Sequence, residues 1–297
     1  MLLQQLFKNV LPIFTIRNEY EDEYRMIECI FAAGDTKPYF PSTVCIYRNT
    51  RKRRIELEKD GIVHDIGDVI AVKTIVYKEQ QGELAAIQLA ADLPGIVPAA
   101  CLYVGEQRPC DTPEAYSCIV MPYVPTTLHR AIRTADHYQC LTLLRDVAKM
   151  VYSMYVSGLC YVDLKMTNIV ITKDAQLLFI DYGSLGEIGT CEAYATYPPV
   201  ESPTGVLVEC SESTMVEIFG SFLLTMLYPE CEPNLRFTTE DLVKGRKNAL
   251  KWVTCKLCRD VVKFCWMKGP KSLYDLVLLI DAAVCIHMGP IATLKVP

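Results

Sequence analysis

Four polar side chains, close together in the chain, could share one reaction. Asp163, Lys165 and Asn168 stand in a single polar segment, and Asp181 follows after two apolar runs at 169–171 and 177–180. Amide and carboxylate oxygens suit a hard divalent cation such as Mg2+. A carboxylate can also orient a hydroxyl or accept its proton, and a lysine can offset phosphate charge. Phosphoryl transfer asks a protein for little else than this placement and charge neutralisation. The plain alternative is local structure, because Asp and Asn also cap helices and form turns. That alternative explains one such residue at a time, not the whole set at this spacing.

Asp163-Leu164-Lys165-x-x-Asn168 and Asp181-Tyr182-Gly183 together resemble the catalytic loop and the magnesium-binding loop of the protein kinases. The resemblance implies that Asp163 orients or accepts the substrate hydroxyl proton and that Lys165 neutralises the γ-phosphate. It implies Asn168 and Asp181 as the metal-binding pair. Earlier in the chain, Lys73 ends the run Ala71-Val72-Lys73 on an expected strand and is similar to the strand lysine that grips the α- and β-phosphates. By itself a lysine at a strand end is usually just solvated. Glu83, which opens an expected helix, would be its ion-pair partner. The run 119–124 resembles the hinge strand that hydrogen-bonds adenine through its backbone, with Met121 at the back of the nucleotide site, and it also reads as a simple core strand. Val44 over adenine, with Ala71, Tyr123 and Val170, completes the implied nucleotide-contacting set.

The implied cofactors are ATP and Mg2+, and the implied partners are protein substrates carrying hydroxyl side chains. Asp-Leu-Lys is similar to the serine/threonine branch. The resemblance covers nearly the whole chain, about residues 26–285, and it has gaps. No G-x-G-x-x-G is present: Gly34 is the only glycine between Met1 and Gly61, although close backbone approach to phosphate normally needs glycine. Residues 31–47 would still form the two-stranded flap. This gap favours the alternative of a pseudokinase, a scaffold or allosteric regulator with or without bound nucleotide. A kinase acting on a small molecule ranks third.

Tyr161-Val162 replaces the family's His-Arg, so activity is expected without phosphorylation at Thr190, Tyr194 or Thr196. Met215 stands where an aspartate normally anchors the catalytic loop. Lys271-Ser272 lacks the family's later arginine, leaving Arg246 or Arg259 to pair with Glu201. A compact, glycine-poor, cysteine-rich kinase of this kind is similar to those encoded by large DNA viruses, including herpesviruses.

The elements that must position these residues follow from the hydrophobic pattern. β-Branched and aromatic runs bounded by Gly and Pro predict strands near 26–31, 42–47, 69–76, 98–104 and 117–124, with polar–apolar alternation at 55–58. A helical repeat covers 83–91. After Pro125, apolar i, i+3, i+4 spacing predicts helices at 127–134, 139–157, 212–228, 239–254, 256–267 and 271–285. The fold expected is α+β: a lead-in at 1–25, an antiparallel sheet with one main helix at 26–121, and a mostly helical lobe at 122–297. The implied architecture is bilobal and kinase-like, with a cleft between the lobes.

Net charge is −5 over 297 residues, which argues against a protein devoted to coating nucleic acid. Arg51–Arg54 reads as a solvated hairpin end, or as an import signal or acidic-partner site. The N-terminus lacks a secretory h-region. The apolar segments at 214–228 and 276–288 are too short and too charged for a membrane span and read as buried helices. No membrane or direct nucleic-acid partner is expected, and the location expected is intracellular, cytoplasm and/or nucleus. The 14 cysteines are scattered, consistent with reduced, buried thiols. Cys255-x-x-Cys258 is the one C-x-x-C pair. It reads as structural cysteines on a helix, because Cys265 and His287 fit no zinc spacing.

Overall fold

The computed structural model describes residues 15–17, 24–31, 43–49, 55–59, 62–76, 100–104, 116–181, 185–190, 193–194, 207–228, 248–266 and 271–288. The expected helix at 83–91 and the basic run Arg51–Arg54 lie outside them. Chain contacts divide the protein into two compact units. One comprises Met1–Asp92 with Ile96–Pro125, the other Leu93–Gly95 with Thr126–Pro297.

In the first unit, the Val-, Ile- and Tyr-rich runs pair as strands because such side chains fit a pleated, half-buried surface. The strands are β1 (Thr15–Arg17), β2 (Tyr24–Phe31), β3 (Thr43–Asn49), β4 (Ile55–Lys59), β5 (Ile62–Gly67), β6 (Val69–Val76), β7 (Ala100–Val104) and β8 (Tyr116–Pro122). Five of them form one antiparallel sheet in the order β2-β3-β6-β8-β7. A second sheet, β1-β4-β5, was only partly expected, because β1 falls in the presumed lead-in and β5 was not anticipated. Its sequence, Ile-Val-His-Asp-Ile-Gly, breaks the apolar alternation that marks a strand, and pairing with β4 supplies what the pattern lacks. Gly67, at φ +83°, takes a backbone conformation that L side chains rarely adopt and turns the chain from β5 into β6.

The centre of the five-stranded sheet is fully buried: Ile46, Ile70, Ile119 and Val120 are each 0 % exposed. Each such side chain contributes on the order of 1.5–3 kcal/mol by leaving water.

The second unit begins with α1 (Leu128–Ala131) and α2 (His137–Val156). Asp136 starts α2 with a reciprocal capping box: its side chain accepts from the Gln139 N–H, and the Gln139 side chain accepts from the Asp136 N–H. Leu141, Leu144, Ala148 and Val151 line its buried stripe. Short strands follow: β9 (Leu159–Tyr161), β10 (Ile169–Ile171), β11 (Leu177–Phe179), β12 (Leu185–Glu187), β13 (Ala193–Tyr194) and β14 (Leu207–Val208). Then come α3 (Glu212–Leu227), α4 (Lys256–Trp266) and α5 (Leu273–Met288), with a further helical stretch at 248–252.

Helix α3 is buried almost all round and forms the middle of this unit. Gly220 lets it approach α4 closely, since an added Cβ there would stand 2.6 Å from the Cys265 Cβ. Helix α5 departs from the expectation of a buried helix. Leu276, Ile280 and Val284 are buried, whereas Leu278, Leu279 and Ile286 are 49, 40 and 61 % exposed. An apolar run alone does not tell a helix packed on one side from a fully enclosed one. The chain is thus α+β, antiparallel sheets first and helices after. No helix among the described residues is long and apolar enough to cross a membrane.

Candidate functional site

Helix α2 ends at Val156, and Gly158, at φ +88°, turns the chain into β9. From β9 the backbone runs inward: Tyr161, Val162 and Leu164 are buried to within 1 %. Asp163 therefore enters the interior with its apolar neighbours and is itself only 7 % exposed. A single 3₁₀ turn, Met166–Asn168, then leads into the β10–β11 hairpin.

That hairpin explains the separation of Asn168 from Asp181. Ile169 pairs with Phe179, so residue 168 lies opposite residue 180, and the Ile180 N–H donates to the Asn168 carbonyl at 3.1 Å. Asp181 follows directly, at the same end of the hairpin as Asn168. The far end closes at 172–176, where the Thr172 N–H donates to the Gln176 carbonyl and Ala175 adopts φ +60°. Two further contacts pin β10 from outside the hairpin. The Ile171 N–H donates to the Thr126 carbonyl at 2.8 Å, and Thr127 bridges to Val170. Below, the Tyr161 and Phe179 rings pack at 4.4 Å between centroids.

Around Asp163 the polar contacts are lopsided. Its Oδ2 accepts from Lys165 Nζ at 2.5 Å and from Asn168 Nδ2 at 3.0 Å, and Nδ2 also reaches the Asp163 carbonyl at 3.2 Å. Its Oδ1 is buried and has no hydrogen-bond partner among the described residues. Burial pushes the Asp163 carboxyl above its ordinary value. The charge and hydrogen bond of Lys165 oppose the rise, the charge of Asp181 adds to it, and the Asn168 hydrogen bond opposes it. Asp181 is thus close enough to be felt electrostatically.

Oxygens of this kind, the buried Asp163 carboxylate and Asn168 amide with the half-buried Asp181 carboxylate, whose charge repels that of Asp163, fit a hard divalent cation. Asn168 and Asp181 could hold it, leaving the buried, unpaired Asp163 Oδ1 to accept a hydrogen bond from a hydroxyl. Of the sequence-predicted residues, Asp163, Lys165 and Asn168 are in direct contact, Asp181 lies beside them, and Val170 is 2 % exposed in the adjoining strand.

In the first unit, the other candidates share a sheet face. Val44 pairs with Lys73, and Lys73 with Ile119; Ala71 pairs with Ile46 and with Met121. Paired residues, and residues two apart on a strand, point to the same side. Val44, Ala71, Lys73 and Met121 therefore occupy one face in two adjacent rows. Lys73 is half-buried, and Ala71 and Met121 are buried. The Tyr123 N–H donates to the Val69 carbonyl at 3.2 Å. Pro122 has no N–H, so Val124 carries the next backbone donor of this segment, and among the described residues it makes no hydrogen bond. Sequence reasoning named Tyr123 and not Val124, because only the register shows which amide is engaged.

Glu83, Tyr182, Gly183, Thr196, Glu201 and Arg246 lie outside the described residues. Arg259 donates from Nε and Nη2 to the Val253 carbonyl, at 3.0 and 2.5 Å. Met215 is 1 % exposed within α3. Lys271 reaches the Cys265 carbonyl at the end of α4, with Glu217 of α3 3.9 Å away. A second constellation, His137 with Cys255, Cys258 and His287, was not anticipated as a group. No protein-family model and no curated protein matches the chain.

Proposed function

We propose that the chain is a protein serine/threonine kinase of bilobal architecture, transferring the γ-phosphoryl group of ATP to hydroxyl side chains of protein substrates. One observation carries the reading. Asp163 is buried with Oδ2 held by Lys165 and Asn168 and with Oδ1 buried and without a hydrogen-bond partner. A capping or turn residue has no use for that arrangement. A carboxylate that must orient a hydroxyl does, because one oxygen is fixed and the other is available.

In the reaction, the bond from the γ-phosphorus to its bridging oxygen breaks and a bond to the substrate oxygen forms. Asp163 Oδ1 takes the hydroxyl hydrogen bond and, as the new bond forms, the proton. Lys165 holds the carboxylate and can balance charge on the transferring group. Mg2+, when bound, neutralises phosphate charge, and Asn168 and Asp181 are the residues that would hold it. In the first unit, Lys73 would meet phosphate oxygens, Val44, Ala71 and Met121 would contact adenine, and the Val124 N–H is the donor available to a ring nitrogen.

The test is transfer of labelled phosphate from ATP, with magnesium, to a generic basic protein, run beside Asp181→Ala. Transfer that disappears in the variant supports the kinase. A folded protein that transfers nothing but still binds MgATP, or binds a partner without it, supports the pseudokinase reading suggested by the glycine-poor flap.

A further inference from the structure

Cys255 and Cys258 were expected to be structural thiols because no neighbouring ligands stand at zinc spacing in the sequence. Folding supplies the ligands from elsewhere. His137 comes from the first turn of α2 and His287 from the last turn of α5. The cysteines come from the start of α4, where the Arg259 N–H donates to the Cys255 carbonyl as the first helical bond. One donor atom from each of the four lies within 4.8 Å of all the others. Cys255 Sγ and His287 Nε2 are 3.4 Å apart, and the two imidazole rings meet edge-to-face with centroids 5.3 Å apart.

We infer that these four side chains form a structural zinc site that ties together the ends of α2, α4 and α5. Two thiols and two imidazoles are the donor set of tetrahedral structural zinc, and four protein ligands leave no open position for catalysis. With Zn–S about 2.3 Å and Zn–N about 2.0–2.1 Å, donors in such a tetrahedron stand roughly 3.3–3.8 Å apart. The Cys255–His287 separation already falls in that range, and the other pairs need to close by no more than about 1.5 Å. His137 and His287 are exposed and Cys255 is half-exposed, so their side chains are able to move, while Cys258 is buried and anchors the group.

The surroundings suit the ligands. Cys255 occupies the cap position of α4 and Cys258 follows within its first turn, so one short segment presents both thiols. The Tyr228 hydroxyl accepts from the Cys255 N–H at 3.3 Å, holding the cysteine-bearing turn in place as outer-shell partners do. Soft thiolates select zinc over magnesium or calcium. This site lies wholly in the second unit and does not depend on the kinase reading.

The test uses the full chain purified in reductant, dialysed against a chelator and then offered zinc or cobalt. Bound metal is measured by mass spectrometry, and cobalt also by its visible absorption. The expected result is roughly one metal per chain, with the intense bands of tetrahedral thiolate-ligated cobalt. Zinc should raise the melting temperature by several degrees. His137→Ala and His287→Ala, both at exposed positions and so expected to fold, should each weaken zinc binding at least 10-fold. Cys258→Ser should abolish the cobalt bands. If reduced wild-type protein takes up no metal, or if both histidine variants bind zinc as tightly as the parent, the inference fails and the thiols are structural only.

Discussion

Asp163 decides most at the scale of single residues. In the proposed kinase, replacing it by Asn would keep the shape and remove the base, so phosphoryl transfer should fall by roughly 10²–10⁴-fold with the fold retained, as checked by circular dichroism. The raised carboxyl also sets a pH signature. The proposed transfer needs ionised Asp163, so its acid limb of kcat/KM should lie above ~4, the ordinary aspartate value. A limb at or below that value would separate Asp163 from the rate. Stability follows the same group. The folded chain holds this proton to higher pH than the unfolded chain, so over that window it binds more protons when folded. Stability contributed here must therefore fall as pH rises between the two values. Urea unfolding of Asp163→Asn across mildly acidic pH should show that slope flattened. Nothing in residue order predicts the rise itself, which depends on Val162 and Leu164 carrying Asp163 inside.

At the scale of elements, the β10–β11 hairpin and the α3–α4 crossing set the geometry. Ala175 occupies a left-handed conformation that costs a non-glycine residue about 1–2 kcal/mol. Ala175→Gly should therefore stabilise the chain by about 0.5–1 kcal/mol after glycine's greater unfolded-state entropy is counted, read as a rise in the urea midpoint. Gly220 behaves oppositely. Helix propensity alone favours alanine there by about 1 kcal/mol. The added methyl would stand 2.6 Å from the Cys265 Cβ and 2.9 Å from Trp266 Nε1. Overpacking of that kind costs about 1–3 kcal/mol, so Gly220→Ala should destabilise despite its propensity. The two glycine-related substitutions thus run against what composition-based rules would suggest, and for different reasons: backbone conformation in one, interhelical space in the other.

For the molecule as a whole, the proposed function gives each unit its own test residue, Lys73 in the first and Asp181 in the second. MgATP at about 100 times its Kd should stabilise the chain by about 2.7 kcal/mol, visible as a higher melting temperature. Lys73→Met and Asp181→Ala should each reduce that shift. A shift that survives in one variant and vanishes in the other would assign nucleotide binding to a single unit.

Much of this was legible in the order of residues. The switch from β-branched runs to i, i+3, i+4 spacing near Pro125 announced sheets followed by helices, because backbone periodicity is written locally. The Asp163–Asn168 grouping was legible too, since its members are near neighbours and their spacing to Asp181 is that of one hairpin. Contacts assembled from distant segments were not. Which amide of Pro122–Val124 is engaged depends on the pairing of β6 with β8. The outward face of α5 depends on what its neighbours cover. The metal-ligand set needed His137, Cys255, Cys258 and His287 to be brought together by packing of three helices. Sequence determines side-chain chemistry and the period of each element; only tertiary packing decides which donors from remote helix ends meet within bonding reach.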